Sequence, residues 1–579
     1  MTDRWIVLDD VDPATPCPAV LECVLAWVRL AEIGHTVPSS RVGRCRGDRH
    51  AVDYAGTRPR LLRRLITHLH RSRHRVRLLL LARSDGEWRT DPLSATPAVR
   101  RLLAAAPVIG LDPLIPRSRS STDRRTAFTR AACDLARLLP LVSSVPAHDW
   151  AALATALQPP EDLSHPRYDN TLTLQLTALV TLLQHGPRPA DTPPGAPAEK
   201  ILLEHEGRFW EDSAEAPAFK LNLPTTALAA TVAIAALCGA TTADAATHVL
   251  GALPDLPAGK APRTAAWLAS LYPAGPDRYC GSLQPDRIAE YHASQTLTHD
   301  RIQLPALLAA ATPGQQAQLV TVLARAAIAH YNAGRTTDSG HVLHTLDTAL
   351  DTAVLAYRAI RSATTALPYP SRILASLALR LTGAFVQANQ QLAQDNPAAY
   401  EPDLAASLSN LGNQLAAAGK RGEALTATGE AVEIYRRLAA DNPAVYAPDL
   451  ARSLSNLGNQ LAAAGKRGQT LTATEEAVEI YRRLAADNPA VYEPDLARSL
   501  SILAIPLAEG GDLPGALRLT GEAVDLYRSH IGTMPSVLPQ VHAPLGLQAD
   551  LLEALGRQEE AEQVRRWIRN NPLTPDSHN

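Results

Sequence analysis

Residues 399–443 read AYEPDLAASLSNLGNQLAAAGKRGEALTATGEAVEIYRRLAADNP, and nearly the same string returns one period later. Tyr400, Tyr446 and Tyr492 set that period at 46 residues. Within the unit, Leu408, Leu411, Gly412 and Leu415 fall at i, i+3, i+4 and i+7, the spacing of one helix face. Gly419 ends that helix, and a second follows from Glu423 through Ala424, Ala431 and Tyr435 until Asn442-Pro443 breaks the chain. Each unit is therefore a helical hairpin. A lone hairpin cannot bury its apolar face, so neighbours must stack, and Gly412, Ala424 and Ala431 let the helices approach closely.

Working outward, two near-identical units start close to Ala399 and Val445, and a third carries Leu500, Leu503, Ala504, Gly511, Ala516 and Ala523. A weaker fourth carries Leu545, Ala549, Leu552, Gly556 and Ala561, and Leu323, Ala326, Ala327 and Gly334 mark a degenerate unit upstream. Residues 340–393 are helical but off the pattern. The array is expected over 315–570.

Leucine, then leucine-glycine three residues on, glycine at the turn and alanines in the second helix resemble the tetratricopeptide repeat. The 46-residue period exceeds the family's usual length and is similar to the long-linker variety of kinesin light chains. The resemblance implies a groove lined by the first helices that takes a protein or peptide partner. Asn410, Asn413, Asn456 and Asn459 lie on or beside that stripe, where carboxamides both donate and accept, or else merely solvate it. Arg452 and Arg498 add positive charge. The third unit replaces the asparagines by Ile502 and Ile505, followed by Pro506, so that end is expected to be apolar or distorted.

The amino-terminal third reads differently. RWIVLDDVD (4–12) is a short buried strand ending in two acids; RVRLLLLAR (75–83) is a second strand, and Val108–Leu111 a third, with helices expected at 18–33 and 58–72. Strands alternating with helices indicate an α/β unit with a parallel sheet. Taken with YDNTLTLQLTAL (168–179), EKILLEHEGRFWEDSA (199–214), LCGA (237–240) and LQPDRIAE (283–290), the region resembles the bacterial STAND nucleoside triphosphatases, relatives of NB-ARC proteins.

That resemblance implies that Asp9 coordinates Mg, Asp10 polarises the attacking water and Arg83 contacts phosphate. Acids after a strand are also common turn formers. No GxxxxGK[ST] loop occurs, since none of Lys200, Lys220, Lys260, Lys420 and Lys466 has the required glycine and Ser or Thr spacing. ATP or ADP with Mg is thus expected only if the missing loop is supplied. Without the family's central strand, those at 5–8 and 76–82 should be left with unpaired edges. The chain reads as the latter part of a longer architecture.

Composition narrows the classes further. The 579 residues are 46% hydrophobic with net charge −2, enough for roughly three to five domains, and they exclude disorder as the main state. Cys17, Cys23, Cys45, Cys133, Cys238 and Cys280 form no CxxC pair, against a zinc module or a disulfide framework and in favour of a reducing cytoplasm. The uncharged stretch 221–243 is diluted by Thr, Pro, Asn and Gly and reads as a buried helix rather than a membrane span.

Residues 41–130 hold 21 Arg against seven acids, an asymmetry that can mark nucleic-acid binding. Almost no aromatics interleave them, so a solvated face is the favoured reading. His68, His70 and His74 contain an i, i+4 pair but lack a completing acid or Cys. His205-Glu206 begins like a zinc-protease helix, yet Phe209 stands where the second His belongs.

The expectation is a mainly α chain: an incomplete α/β nucleotide-binding-like region at 1–140, a helical and winged-helix-like region at 141–310, degenerate helical repeats at 315–393, tetratricopeptide-like repeats at 394–570 and a disordered tail at 571–579. It is a protein-interaction and signalling scaffold in the cytoplasm, with no membrane attachment, room for self-association and an inactive nucleotide module. The alternatives are an ATP-dependent switch completed by a preceding segment or second chain, and a nucleic-acid-binding regulator using 41–130.

Overall fold

The structure is a computed structural model describing residues 121–571, apart from 143–144, 166–167, 169, 194, 275–277, 299–300, 368–370 and 532–537, together with four strands. These are β1 (Arg4–Leu8), β2 (Asp48–Val52), β3 (Val76–Ala82) and β4 (Val108–Gly110), in the order β2-β3-β1-β4. Two expectations are corrected. The sheet is mixed: β1 runs antiparallel to both β3 and β4, and only β2 and β3 are parallel. Nor are β1 and β3 left with open edges, because they are the two inner strands. Alternation of elements reports crossovers between consecutive strands, and the 53–75 connection is long enough for the one parallel pair. It says nothing about the direction in which a distant strand returns. The helices expected at 18–33 and 58–72 lie outside the described residues.

The remaining elements among the described residues are helical, in two compact units, one within Asp112–Pro368 and one within Tyr369–Asn579. The first holds α1 (Ser121–Leu138), α2 (Trp150–Ala156), α3 (Thr171–His185), α4 (Ala198–Ala214), α5 (Thr225–Cys238) and α6 (Ala243–Leu250). It continues with α7 (Ala261–Leu271), α8 (Asp286–Thr298), α9 (Leu304–Ala310), α10 (Pro313–Asn332), α11 (Thr336–Thr352) and α12 (Tyr357–Ala366). Side-chain caps fix several starts: Asp149 accepts from Ala152 N, Asn170 from Leu172 N, and Thr312 with Gln315 forms a capping box.

α5 accounts for the long uncharged stretch. Eleven of its fourteen residues are buried, so it is apolar all round because it is the centre of its unit. Among the described residues no helix is long and apolar enough to cross a membrane. After α7 the chain returns to the end of α5, where Tyr279 N donates to Ala240 O at 2.9 Å.

The second unit runs α13 (Ala375–Asp395), α14 (Pro397–Ala417), α15 (Arg421–Asp441), α16 (Pro443–Ala463), α17 (Arg467–Asp487), α18 (Pro489–Glu509), α19 (Leu513–Ile531), α20 (Leu538–Ala554) and α21 (Gln558–Asn570). The repeat is two 21-residue helices, a three-residue turn and one connecting residue. The 46-residue period therefore comes from longer helices and not from a long linker. Asn442 alone, at φ −144° and ψ 78°, breaks the helical run before Pro443, whose missing N–H is tolerated in a first turn.

Each hairpin turns on a glycine that the sequence marked. Gly419, Gly465, Gly511 and Gly556 have φ between 70° and 87°, the left-handed region that a Cβ disfavours. At each, the next residue's N–H reaches back five residues, as Lys420 N does to Leu415 O at 2.9 Å and Asp512 N to Leu507 O at 3.0 Å. The degenerate unit behaves alike: Gly334, between α10 and α11, has φ 77°, and Arg335 N donates to His330 O. One continuous apolar core from Val386 to Leu545 then runs through the stack, with Tyr435, Tyr481 and Tyr527 buried at equivalent places.

Inside each hairpin the close approach falls on Gly412 and Gly458. A Cβ on Gly412 would collide with Thr428 Oγ1, and one on Gly458 with Thr474 Cγ2, while the third hairpin accommodates Ala504. Thr474 is fully buried and its hydroxyl donates to Thr470 O at 2.7 Å, so it cannot swing aside freely. Overpacking costs about 1–3 kcal/mol, against roughly 1 kcal/mol that Ala gains over Gly in a helix. Gly458→Ala is expected to lower stability by about 1 kcal/mol in urea unfolding, and the added Thr474→Ser to recover it. A stabilised Gly458→Ala single variant would contradict this packing account.

Candidate functional site

The first helices of successive hairpins, α14, α16 and α18, lie directly against one another. Two hydroxyl contacts pin them: Ser409 to Ser453 at 3.3 Å and Ser455 to Ser499 at 2.6 Å. These serines are buried, so each satisfies its polar group on the neighbouring repeat. The Ser-x-Ser pair of each first helix, in the same phase as the buried Leu and Ala positions, was the available signal for this staple.

The six sequence-predicted residues sit on these helices. Asn410 and Asn459 are exposed, Asn413 and Asn456 half-buried, and none of the four side chains bonds to another described residue. Arg452 Nη2 donates to Asp449 Oδ1 at 2.8 Å. Arg498 lies 3.6 Å from Asp495 Oδ1, beyond hydrogen-bond length, and its Nε is buried without a partner. The Asp-x-x-Arg spacing thus offsets each positive charge locally. Burial pushes the neighbouring Tyr527 phenol above its ordinary range, with Arg498 pulling the other way.

Two further carboxamides were missed. Gln414 Oε1 is buried without a partner, and its copy Gln460 is only 7% exposed with both Oε1 and Nε2 unpaired. Unpaired buried polar atoms are costly and rare. Their immediate succession to Asn413 and Asn459 was visible, but their burial was not. Ile505 is 37% exposed and Ile502 half-buried, so the third repeat's face is apolar. The helix is not broken there: α18 continues through Pro506, whose carbonyl still accepts from Gly510 N.

Residues 404–444 match the family model of the tetratricopeptide repeat. Among solved structures, the chain is similar to the putative kinesin light chain with nearly identical TPR-like repeats from Podosopora anserina, at 19% identity over 37% of this chain and 92% of that one, TM-score 0.28. BtubC (BKLC) from P. vanneervenii matches at 15% identity over 46% and 95%, TM-score 0.29. A Signal Transduction ATPase with Numerous Domains carrying a tetratricopeptide repeat sensor, from Pyrococcus horikoshii, matches at 11% over 77% and 66%, TM-score 0.31. No curated protein matches the chain. The matched residues are most of α14 and α15, the hairpin that α16 with α17 repeats almost unchanged.

Elsewhere the first unit holds a constellation with the outline of a hydrolytic triad. Ser294 Oγ is 2.7 Å from His330 Nε2, and His330 Nδ1 is 3.6 Å from Asp338 Oδ2. The protonation is wrong for that chemistry. Arg335 Nε donates to Nδ1 at 2.9 Å, which places the neutral ring's proton on Nε2, pointing at Ser294. The ring therefore cannot accept the serine proton, and burial with Arg335 holds its pKa below the usual value. Ser294 is fully buried as well. The cluster is a latch joining α8 to the α10–α11 turn, drawn from segments too distant for a sequence pattern.

Among the described residues no group of three or more His, Cys, Asp or Glu could hold a metal ion. His205 and Glu206 occupy α4, the carboxyl pushed up by burial and the imidazole down by burial and Arg208. Asp9, Asp10, Arg83, His68, His70 and His74 lie outside the described residues, as does most of the basic 41–130 stretch.

Proposed function

We propose that the chain is a cytoplasmic signalling scaffold that binds a protein partner along the first helices of its tetratricopeptide repeats. What supports the reading is a row of carboxamides at Asn410, Asn413, Asn456 and Asn459, none bonded to a described residue. Each offers one acceptor and two donors, the complement of a peptide backbone. Arg452 and Arg498, already facing Asp449 and Asp495, set the polar border of that track.

The amino-terminal sequence resembles a STAND-type nucleotide module but carries no GxxxxGK[ST] motif, and on this reading partner binding by the repeats does not depend on nucleotide. Replacing all four asparagines by Ala is expected to weaken capture of partners from lysate at least tenfold, with the melting temperature unchanged. Equal capture by the variant would remove the groove reading. Micromolar MgATP binding that Asp9→Ala abolishes would instead restore a nucleotide-driven switch in which Asp9 holds Mg and Asp10 and Arg83 serve the phosphate.

A further inference from the structure

The hairpins differ in one ion pair between their two helices, and the third has lost its cation there. In the first, Arg437 Nη2 near the end of α15 donates to Glu401 Oε1 near the start of α14 at 2.9 Å. One period later the acid is Ala447, and Arg483 turns to Glu479 of its own helix at 3.8 Å. Two periods later the acid returns as Glu493, as recessed as Glu401, with 26% of its side chain exposed against 25%. The arginine does not return: Ser529 stands in its place.

An open cavity of about 560 Å³ lies there, lined by Glu493, Glu522, Asp525, Leu526 and Ser529, with no basic residue among them. Its acids are only partly neutralised. His530 Nε2 meets Glu493 Oε2 at 2.7 Å, and Arg482 Nη2 reaches Glu522 Oε2 from α17 at 2.9 Å. Asp525 has no partner among the described residues. Its counterpart Glu433 holds Arg436 at 2.7 Å, but the matching Arg528 lies instead over the Trp567 ring, 5.8 Å from the centroid. Even with His530 protonated, the three carboxylates outnumber these two cations.

The first hairpin shows which group this arrangement takes, since Arg437 fills against Glu401 the place left open beside Glu493. Among the described residues these acids form no group that could hold a metal ion. The five N–H donors of a planar guanidinium fan out and can reach separate carboxylates. A second cavity of about 620 Å³ shares Glu522 and Asp525 and is walled by Leu517 and Leu555, so there is room for the chain that carries the guanidinium. Arg518 and Arg557 also line it, which leaves the first cavity as the acidic end. We propose that the third hairpin takes the guanidinium of an arginine side chain from a protein partner, seated on Glu493 and Asp525 beside Ser529. The site is separate from the asparagine row: Glu493 and Ile502 are about two and a half turns apart on α18, hence on opposite sides of it.

The test titrates acetyl-Gly-Arg-Gly-amide, whose only charge is the guanidinium, into the full chain and reads binding by saturation-transfer difference NMR. Copies with lysine and with neutral citrulline are run beside it. The arginine peptide is expected to bind, the lysine copy more weakly and the citrulline copy not at all. Ser529→Arg, which restores the arginine of the first hairpin, should abolish binding with the melting temperature held or raised. Asp525→Asn, at an exposed position, should weaken binding about fivefold. The variant lacking all four groove asparagines should bind as the wild type does, so this site and the groove fail or stand separately. Equal signals from arginine and citrulline, or an arginine signal unchanged in either cavity variant, would overturn the proposal. A lysine peptide bound as tightly would reduce the site to a general cation seat and overturn the guanidinium assignment.

Discussion

Arg287→Ala is expected to destabilise the first unit by about 3–5 kcal/mol, because it strands a buried carboxylate. Glu199 is 1% exposed, and its Oε1 receives Arg287 Nε at 2.6 Å. The same guanidinium donates to Thr173 Oγ1 at 2.7 Å, so one side chain ties α3, α4 and α8 together. Removing the arginine leaves the acid without water or partner, and the helices held by it lose their common point. In scanning calorimetry the transition of this unit should fall by about 10 °C, at roughly 2–4 °C per kcal/mol for a unit of this size. Replacing both partners, Arg287→Met with Glu199→Gln, should recover most of the loss, since no charge then remains buried. A single variant within 1 °C of wild type would show that the pair carries no such weight.

The repeats were legible because two of their copies are nearly identical, so the turn glycines, the close-approach glycines and the buried tyrosines could be checked against themselves. The longer helices were less so. The 46-residue period suggested a long linker, yet α14 and α16 run on through Pro402 and Pro448, so the extra length is helix. The sheet failed for a different reason. β2 has only Ala51 and Val52 as apolar residues and offers no pattern, and strand order is set by pairing between distant segments. In the candidate site, repeat position placed the asparagines, and the i, i+3 spacing could have exposed the Asp449 and Asp495 partners. The burial of Gln460 and the His330 latch depend on what packs around them, which periodicity does not encode.

His292 should make the first unit acid-sensitive in a window set by its own titration. Desolvation lowers its pKa to about 4, the hydrogen bond to Ala229 O at 2.8 Å acting the other way, and the Trp210 ring lies 5.1 Å from it. The ordinary value is 6.5, so between pH 6.5 and about 4 the unfolded chain binds a proton that the folded one refuses. This contribution is fully present above pH 6.5, is lost as the pH falls towards 4, and changes no further below that. The gap corresponds to about 3 kcal/mol. His330 and His205, also lowered chiefly by burial, add to the slope in the same direction. His292→Gln keeps a nitrogen that can donate to Ala229 O but cannot titrate. Hydrogen exchange of peptides from α8, corrected for the intrinsic rate, should therefore show opening free energy falling between pH 7 and pH 4.5 in the wild type. The fall should be at least 2 kcal/mol smaller in the variant, most of the ~3 kcal/mol expected from His292. Parallel slopes in the two proteins would mean that His292 is protonated in the fold and that the buried, neutral imidazole is wrong.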